Sequence, residues 1–300
     1  MRSERTIICM KYALLYLFLL APMTVSGQGN TAVSMYLKKD KNTQLDFIAS
    51  ESGNLFNKLG HHGPAIENRW YALRLYFNKK TAIDVYSKAK PGLELAEKKW
   101  YPSKKEQLDG WGADYYKVGN TVGLGGVKLW DGKKVLDLHP VLNRSARVKV
   151  YKDSCSMELI SEGIAYQDKK VNIKVRVTVY STKREAKVEA FSMTGKAVQF
   201  VTGINYFENL KTRKGENFAL TWGIHPEDVA AEKVEVGAAF FIQESIIEKQ
   251  LDDGRQFLFI TNPVQSFSSL ITSYNARESG INSIESFEKQ IEDLKLELPK

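Results

Sequence analysis

The chain has 300 residues, 43% of them hydrophobic, and its 43 lysine and arginine residues against 35 acidic residues give a formal net charge of +8. The basic residues are scattered, as in the pairs Lys169-Lys170 and Lys183-Arg184, and do not cluster on one element. This distribution argues against a nucleic-acid-binding protein, whereas attraction to acidic glycans stays open.

The first 27 residues have the order of a secretory signal. Basic residues at positions 2, 5 and 11 lead into an apolar run from Tyr12 to Ala21, and the small residues Val25-Ser26-Gly27 follow. The sequence therefore predicts cleavage before Gln28 and export to the periplasm or the medium. The apolar run is too short to span a bilayer, which takes about 20 residues, so we expect no membrane insertion. Loss of this segment removes three cations and one anion and lowers the net charge from +8 to +6.

The predicted mature chain, residues 28–300, keeps one cysteine and cannot form an internal disulfide bond. Cys155 lies in a predicted strand, which favours a buried structural thiol over a nucleophile. No internal repeat or Pro/Gly linker divides the sequence. We therefore expect a single domain whose stability comes from one large core.

A pair of histidines precedes the first predicted strand. His61 and His62 lie in a loop flanked by glycines, and the sequence from Ile66 to Phe77 favours one continuous strand. Alternate residues of a strand share a face, so Glu67, Arg69 and Tyr71 are predicted to line one concave surface, together with Trp111, Asp114 or Lys117 and with at least one of the two histidines at its rim. The alternatives are a simple ion pair between Glu67 and Arg69 and loop histidines bound to the backbone.

The stretch from 110 to 126 combines glycines with aromatic and charged residues. No Lys-Ser/Thr pair follows its glycines, so a nucleotide-phosphate loop is not indicated. Trp111, Tyr115 and Tyr116 offer flat faces for sugar rings, while Asp114 and Lys117 offer an acceptor and a cation. A structural glycine-rich hairpin around a core tryptophan is the alternative.

The rest of the chain predicts many strands and one helix. Residues 171–180 alternate β-branched and polar side chains, and Asp-Gly turns at 131–132 and 253–254 predict two hairpins. Further strands are predicted at 186–193, 198–207, 218–224, 234–242 and 266–274. Asn282 as N-cap, Glu285 and an apolar stripe at 284, 287, 291, 294 and 298 predict a helix over about 283–298. The pattern is that of an all-β antiparallel sandwich closed by a short C-terminal helix.

Two other histidines follow strands. His225 comes at the end of the strand that contains Trp222, next to Pro226, where it can reach a cleft or remain a loop histidine. His139 precedes Pro140 and is interpreted as a strand terminator. Nucleophile-elbow, His-Glu-x-x-His, Cys-x-x-Cys and EF-hand motifs are not found, so we expect neither a metal nor a cofactor.

These motifs, in this order, resemble a known family. The His-His-Gly loop, Glu-Asn-Arg-Trp-Tyr-Ala-Leu-Arg-Leu-Tyr-Phe, Ala-Ile-Asp-Val-Tyr-Ser-Lys, Gly-Trp-Gly-Ala-Asp-Tyr-Tyr-Lys-Val-Gly and the terminal helix are similar to secreted Bacteroidetes proteins that carry a domain of unknown function. That family is found in polysaccharide-utilisation loci and belongs to the galactose-mutarotase-like β-supersandwich group. The resemblance implies a fold and a glycan context, and it assigns no reaction.

The leading functional hypothesis is a periplasmic carbohydrate-active enzyme that cleaves uronate-containing oligosaccharides by β-elimination. Such a reaction needs a cation beside the uronate, a base for the C5 proton and an acid for the leaving oxygen. Arg69 or Lys117 could neutralise the uronate, His62 or His225 could accept the proton, and Tyr71 could protonate the leaving group.

Two alternatives stay open. An aldose mutarotase or epimerase would use a histidine as acid and Glu67 as base, and it would need no uronate. A non-catalytic glycan-binding protein would use Trp111 and the neighbouring tyrosines. Under each hypothesis the predicted sugar contacts are His61, Trp111, Asp114, Tyr115 and Tyr116. The oligomeric state is not indicated by the sequence.

Overall fold

The computed structural model describes residues 29–99, 101–226 and 230–297, and almost all of its regular structure is β. The first strands are β1 Thr31–Ser34, β2 Phe47–Ser50, β3 Ala65–Asn68, β4 Tyr71–Leu75, β5 Ile83–Ser87, β6 Lys128–Trp130, β7 Val135–Leu136, β8 Asn143–Val150 and β9 Ser154–Tyr166. They continue with β10 Lys169–Tyr180, β11 Ala186–Ser192, β12 Phe200–Asn205, β13 Lys211–Lys214, β14 Phe218–Gly223, β15 Val236–Ile242, β16 Ile247–Asp252, β17 Gln256–Thr261 and β18 Ser266–Asn275. The helices are α1 Lys104–Leu108 and α2 Ile284–Glu297, with single 3-10 turns at Gly60–His62 and Glu244–Ile246.

The strands form three sheets, and every ladder between the named strands is antiparallel. The largest sheet has the order β13-β14-β15-β18-β11-β10-β9-β8-β2, and the smaller ones are β1-β3-β4-β5 and β16-β17-β12-β6-β7. One core cluster contains residues of all three sheets, such as Leu73, Val175 and Phe200, so both smaller sheets pack on the large one. The predicted antiparallel β-sandwich is confirmed.

Local sequence accounts for most of the strands. In β10 the side chains alternate between buried and half-buried, because the β-branched residues face the core. The two predicted Asp-Gly hairpins are β6–β7 and β16–β17, and all five further segments contain strands. At the first hairpin, the Asp131 carboxylate accepts the backbone N–H groups of Lys133 and Lys134 at 2.8 Å and fixes the turn.

The C-terminal helix covers the outer face of β14 and β15. Phe287 lies 5.8 Å from Trp222 and 5.3 Å from Tyr274, measured between ring centroids. Strand β15 is buried on both faces because Phe240 points to the main core and Phe241 to the helix. The helix is confirmed, but its cap is Ser283 and not Asn282: the Ser283 hydroxyl accepts the N–H of Ser286 at 3.2 Å. The predicted stripe position 298 lies outside the described residues.

The prediction of one continuous strand from 66 to 77 is wrong. The chain turns at Arg69 and Trp70, and β3 and β4 pair with each other as a hairpin. The side-chain oxygen of Asn68 accepts the backbone N–H groups of Trp70 and Tyr71 at 3.0 and 3.1 Å. These bonds satisfy the backbone inside the turn, so a tight hairpin replaces the extended conformation.

No helix among residues 29–99, 101–226 and 230–297 combines the length and apolar character needed to cross a bilayer.

Candidate functional site

The candidate site is a cavity of about 190 Å³ beside the end of β14, here called the His225 pocket. Three residues predicted from the sequence line it: Asp114 and Tyr115 from the glycine-rich stretch, and His225. Glu232 and Lys233, which precede β15, lie at the same cavity. Two segments more than 100 residues apart are thus brought together, and the pocket carries both charged and aromatic groups.

His225 is held as a neutral imidazole with its proton on Nε2. The backbone N–H of Lys117 donates to Nδ1 at 3.2 Å, so Nδ1 is the acceptor nitrogen of the ring. Burial lowers the pKa of His225 to about 4. The ring packs 4.5 Å from that of Tyr116 and 5.5 Å from that of Phe207. His225 therefore offers a fixed N–H donor near neutral pH.

Two buried polar groups of the pocket have no hydrogen-bond partner among the described residues. They are Nε2 of His225 and the hydroxyl of Tyr115, and the residues are 5% and 6% exposed. The hydroxyl of Tyr116, whose ring packs against His225, also has no hydrogen-bond partner among the described residues. An unpaired buried polar group costs roughly 1–3 kcal/mol, so a hydrogen-bonding partner for these groups would stabilise this region.

Asp114 belongs to a buried group of charged and hydrogen-bonding side chains, here called the Arg74 cluster. Its members are Arg74, Asp84, Asp114, Tyr76 and Tyr101. Arg74 faces Asp84 across the β4–β5 ladder and contacts it at 2.7 Å, and the same guanidinium nitrogen binds Asp114. The hydroxyls of Tyr76 and Tyr101 donate to Asp84 and Asp114 at 2.6 and 2.7 Å. One cation thus joins two carboxylates, and the cluster fixes Asp114 at the pocket.

The two loop histidines pack against the fold and do not line the His225 pocket. Both adopt left-handed backbone conformations, with φ of 55° for His61 and 62° for His62. His61 is buried, its Nε2 lies 3.1 Å from the hydroxyl of Ser34, and burial lowers its pKa to about 3. His62 stacks on Phe56 at 4.0 Å and donates from Nδ1 to the carbonyl of Phe56. Burial also lowers the pKa of His62, so both are neutral near pH 7.

Glu67, Arg69 and Tyr71 do not share a concave surface, so the convergence predicted from the strand pattern is wrong. Glu67 is fully buried, binds Lys88 at 2.8 Å and accepts the backbone N–H groups of Glu94 and Leu95. Tyr71 is also buried and donates its hydroxyl to the carbonyl of Arg184 at 2.6 Å, and burial raises its pKa. Arg69 is exposed in the turn, where it lies over the ring of Trp70. The hairpin between β3 and β4 separates these side chains.

The other predicted residues are divided between two places. Lys117 orients His225 through its backbone, and its half-buried side chain is not part of the lining. Trp111 lines a different cavity of about 240 Å³, with Nζ of Lys98 4.2 Å from the ring centroid. The glycine-rich stretch therefore reaches both cavities.

Sequence reasoning missed Arg74 and Asp84, although a signal was present. Each is a single charged residue between apolar neighbours in a strand that the structure buries completely. Charged side chains are rarely buried unless they are paired, so this pattern can predict an ion pair between adjacent strands. Glu232 and Lys233 gave no such signal. In the part of the chain described here, no group of three or more His, Cys, Asp and Glu residues is arranged to hold a metal ion.

Comparison with known proteins identifies the family. The Domain of unknown function (DUF4861) matches residues 22–300, which is nearly the whole chain. The chain belongs to this family. No curated protein matches the sequence.

Three solved structures are similar to the chain over much of its length. The 4-alpha-glucanotransferase from Thermococcus litoralis has 11% identity and a TM-score of 0.37 over 71% of this chain and 39% of its own. A putative aldose 1-epimerase from Klebsiella pneumoniae subsp. pneumoniae has 8% identity and a TM-score of 0.35 over 88% and 96%. The GH36 alpha-galactosidase AgaB from Geobacillus stearothermophilus has 11% identity and a TM-score of 0.29 over 71% and 40%. At these values neither substrate nor reaction is carried over to this chain.

Proposed function

We propose that this protein is an exported carbohydrate-active protein that binds a sugar unit in the His225 pocket. The observation that carries the proposal is the pair of buried, unpartnered groups at the pocket, Nε2 of His225 and the hydroxyl of Tyr115. A polyhydroxy ligand supplies acceptors and donors for both groups. The aromatic face of Tyr115 and the carboxylate of Asp114 complete the chemistry that a sugar ring needs.

The size of the pocket favours a single sugar ring. Its volume of about 190 Å³ is below the roughly 300–1,000 Å³ of cavities that enclose drug-sized ligands. Ile224 and Pro226 line the pocket and are exposed, so the pocket lies at the surface and further units can extend outside it. The ligand class is therefore an oligosaccharide with one unit inserted.

For the reaction, we propose β-elimination on a uronate-containing glycan, because Lys233 lies at the pocket and can neutralise the uronate carboxylate. The base takes the C5 proton, the C4–O bond breaks with its electron pair on oxygen, and a C4–C5 double bond forms. At neutral pH the Nε2–H of His225 fits a hydrogen-bond donor to the uronate carboxylate, and the proton that the base takes from C5 passes to the leaving oxygen. The carboxylate of Asp114 or Glu232 then fits the base.

The test measures unsaturated uronyl products by ultraviolet absorbance on pectic, ulvan-like and glycosaminoglycan fragments. His225→Gln replaces the imidazole by an amide that the Lys117 N–H no longer holds in place as a donor, and it is expected to lower kcat/KM by about 100-fold or more. His139→Gln is the matched control, because His139 is exposed and lies at another cavity. Equal rates for wild type and His225→Gln would contradict the assignment of the pocket.

The same fragments separate the alternatives. Faster mutarotation of free aldoses by polarimetry, without unsaturated products, would favour anomer interconversion at the same His225–Asp114 pair. If wild type binds saccharides, His225→Gln weakens that binding and neither activity is detected, the results favour a non-catalytic glycan-binding protein. If no saccharide is bound at all, the proposal fails.

A further inference from the structure

A second cavity lies beside the glycine-rich stretch, before that stretch reaches the His225 pocket. It has a volume of about 240 Å³ and is lined by the loop Lys90–Glu94 and by Asp109, Gly110 and Trp111. We infer that this cavity, here called the Trp111 cavity, is a second saccharide-binding subsite that holds another unit of the same oligosaccharide. The inference rests on the proposed function and adds a second binding position to it.

Glu94 supplies a buried carboxyl group with one oxygen left over. The residue is 6% exposed and lines the cavity. Its Oε2 accepts the hydroxyl of Tyr86 at 2.7 Å and the N–H of Gly112 at 2.9 Å. Among the described residues, no hydrogen bond is made to Oε1. Burial raises the pKa of the Glu94 carboxyl, against the hydrogen bonds from Tyr86 and Gly112. A sugar hydroxyl can donate the hydrogen bond that Oε1 does not receive from the protein.

The position of Glu94 is fixed by a buried anchor beneath the loop. The backbone N–H of Glu94 donates to both oxygens of Glu67, at 2.9 and 2.8 Å. Lys88 binds the same Glu67 carboxylate and also donates to the carbonyl of Gly92 at 2.6 Å. This network holds the loop before any ligand arrives, as binding sites with low reorganisation cost require. In this network Glu67 positions the loop, whereas the sequence pattern predicted a catalytic role for it.

Trp111 supplies the apolar half of the subsite. Its indole is half-buried and lines the cavity together with Pro91 and Leu93, which are both exposed. An aromatic face packs against the C–H face of a pyranose ring, while a neighbouring carboxylate binds the hydroxyls at the ring edge. Trp111 and Glu94 together therefore match a polyhydroxy ring better than a purely apolar or a purely ionic ligand.

The two cavities are close enough for one oligosaccharide. Trp111 and Asp114 are three residues apart, so their Cα atoms lie within about 11 Å even if the chain between them is fully extended. That connection is rigid, because Ala113 exchanges backbone hydrogen bonds with Ser87 at 3.0 and 3.1 Å. A ligand of a few units can thus reach from one cavity to the other.

The experiment measures the affinity of saccharides of one to four units by calorimetry, with galactose and galacturonate oligomers and glycosaminoglycan fragments as probes. In wild type, affinity should rise when the ligand becomes long enough to reach the Trp111 cavity. Trp111→Ala and the isosteric Glu94→Gln should each abolish that gain, lowering the affinity of the longer ligand by about tenfold or more. The affinity for one unit in the His225 pocket should stay unchanged.

Matched controls are Trp70→Ala, a half-buried tryptophan at a different cavity, and Glu97→Gln, an exposed acid in the same loop region. Both should keep the wild-type length dependence. Circular dichroism checks that Trp111→Ala and Glu94→Gln are folded. If the affinity of both folded variants still rises with ligand length as in wild type, this inference is overturned, while the proposed function of the His225 pocket is unaffected. Failure of wild type to bind any probe would overturn the proposed function as well.

Discussion

Burial makes both His61 and His225 neutral imidazoles, but the two residues differ in their remaining hydrogen bond. Nε2 of His61 is paired with the hydroxyl of Ser34, whereas Nε2 of His225 has no partner in the described chain. The first arrangement stabilises a loop with unusual backbone geometry, and the second leaves a donor for a ligand. Residue type and burial alone therefore do not distinguish a structural histidine from a binding one; the unpaired nitrogen does.

Acid sensitivity of folding is expected from these histidines. An unfolded histidine titrates near pH 6.5, whereas burial lowers the pKa to about 3 for His61 and about 4 for His225. Between these values the unfolded state binds more protons. The free energy of unfolding therefore falls as pH drops below 6.5, by about 1.4 kcal/mol per pH unit for each histidine, and their contribution is flat above 6.5.

His61→Asn tests this contribution. Asparagine tolerates the φ of 55° and cannot take up a proton, and because it is too short to reach Ser34 it loses that bond equally at both pH values. Urea unfolding at pH 4.5 and 7.5 should show a smaller loss of stability on acidification in His61→Asn than in wild type. His139→Asn, at an exposed position, should behave as wild type. An unchanged difference between the two pH values in His61→Asn would count against a buried, neutral His61.

At the scale of elements, periodicity predicts strands well where one face is buried and the other is wet. Strand β10 follows its alternation throughout, and the Asp-Gly turns lie where hairpins occur. The pattern fails between Asn68 and Tyr71, because this hairpin is buried on both faces and its turn depends on one side chain, Asn68. Alternation cannot show where a fully buried strand ends. The short helix α1, capped by Ser103, was missed because five residues carry too little periodicity.

The docking of helix α2 can be measured with one substitution. Phe287 is fully buried between Trp222 and Tyr274, so Phe287→Ala should lower the free energy of unfolding by roughly 3–5 kcal/mol. Lys289→Ala, on the exposed side of the same helix, should change it by less than about 0.5 kcal/mol. Guanidinium unfolding followed by tryptophan fluorescence measures both. A loss below about 1 kcal/mol for Phe287→Ala would mean that the helix is not packed on the sheet.

At the scale of the whole molecule, the candidate site depends on contacts that local sequence does not specify. The prediction placed Asp114, Tyr115 and His225 among the site residues, but it paired them with Glu67 and Arg69. The structure instead brings Asp114 to Arg74 and Asp84, and it places Glu232 and Lys233 beside His225. Sequence patterns show which residue types are chemically useful. Only the packing of the four-stranded sheet on the large sheet decides which of them meet.

The Arg74 cluster makes that long-range packing testable. Arg74→Met keeps much of the side-chain volume but leaves the carboxylates of Asp84 and Asp114 buried without their shared cation. Removing one partner of a buried ionic group costs roughly 3–5 kcal/mol, and that is the expected loss of stability at pH 7. Arg69→Met, which removes an exposed arginine from the neighbouring turn, is the matched control and should cost less than about 0.5 kcal/mol.

The pH dependence of this loss separates electrostatics from packing. Without Arg74, the two carboxylates are buried beside each other without a cation, and acidification relieves their mutual repulsion in the folded variant. The penalty of Arg74→Met relative to wild type should therefore shrink as pH falls from 7 toward 5, opposite in sign to the effect of the buried histidines. Denaturant unfolding of wild type, Arg74→Met and Arg69→Met at both pH values gives the answer. An equal penalty at pH 5 and 7 would show that Arg74 acts through its volume alone, and the two aspartates would then not be joined through its charge.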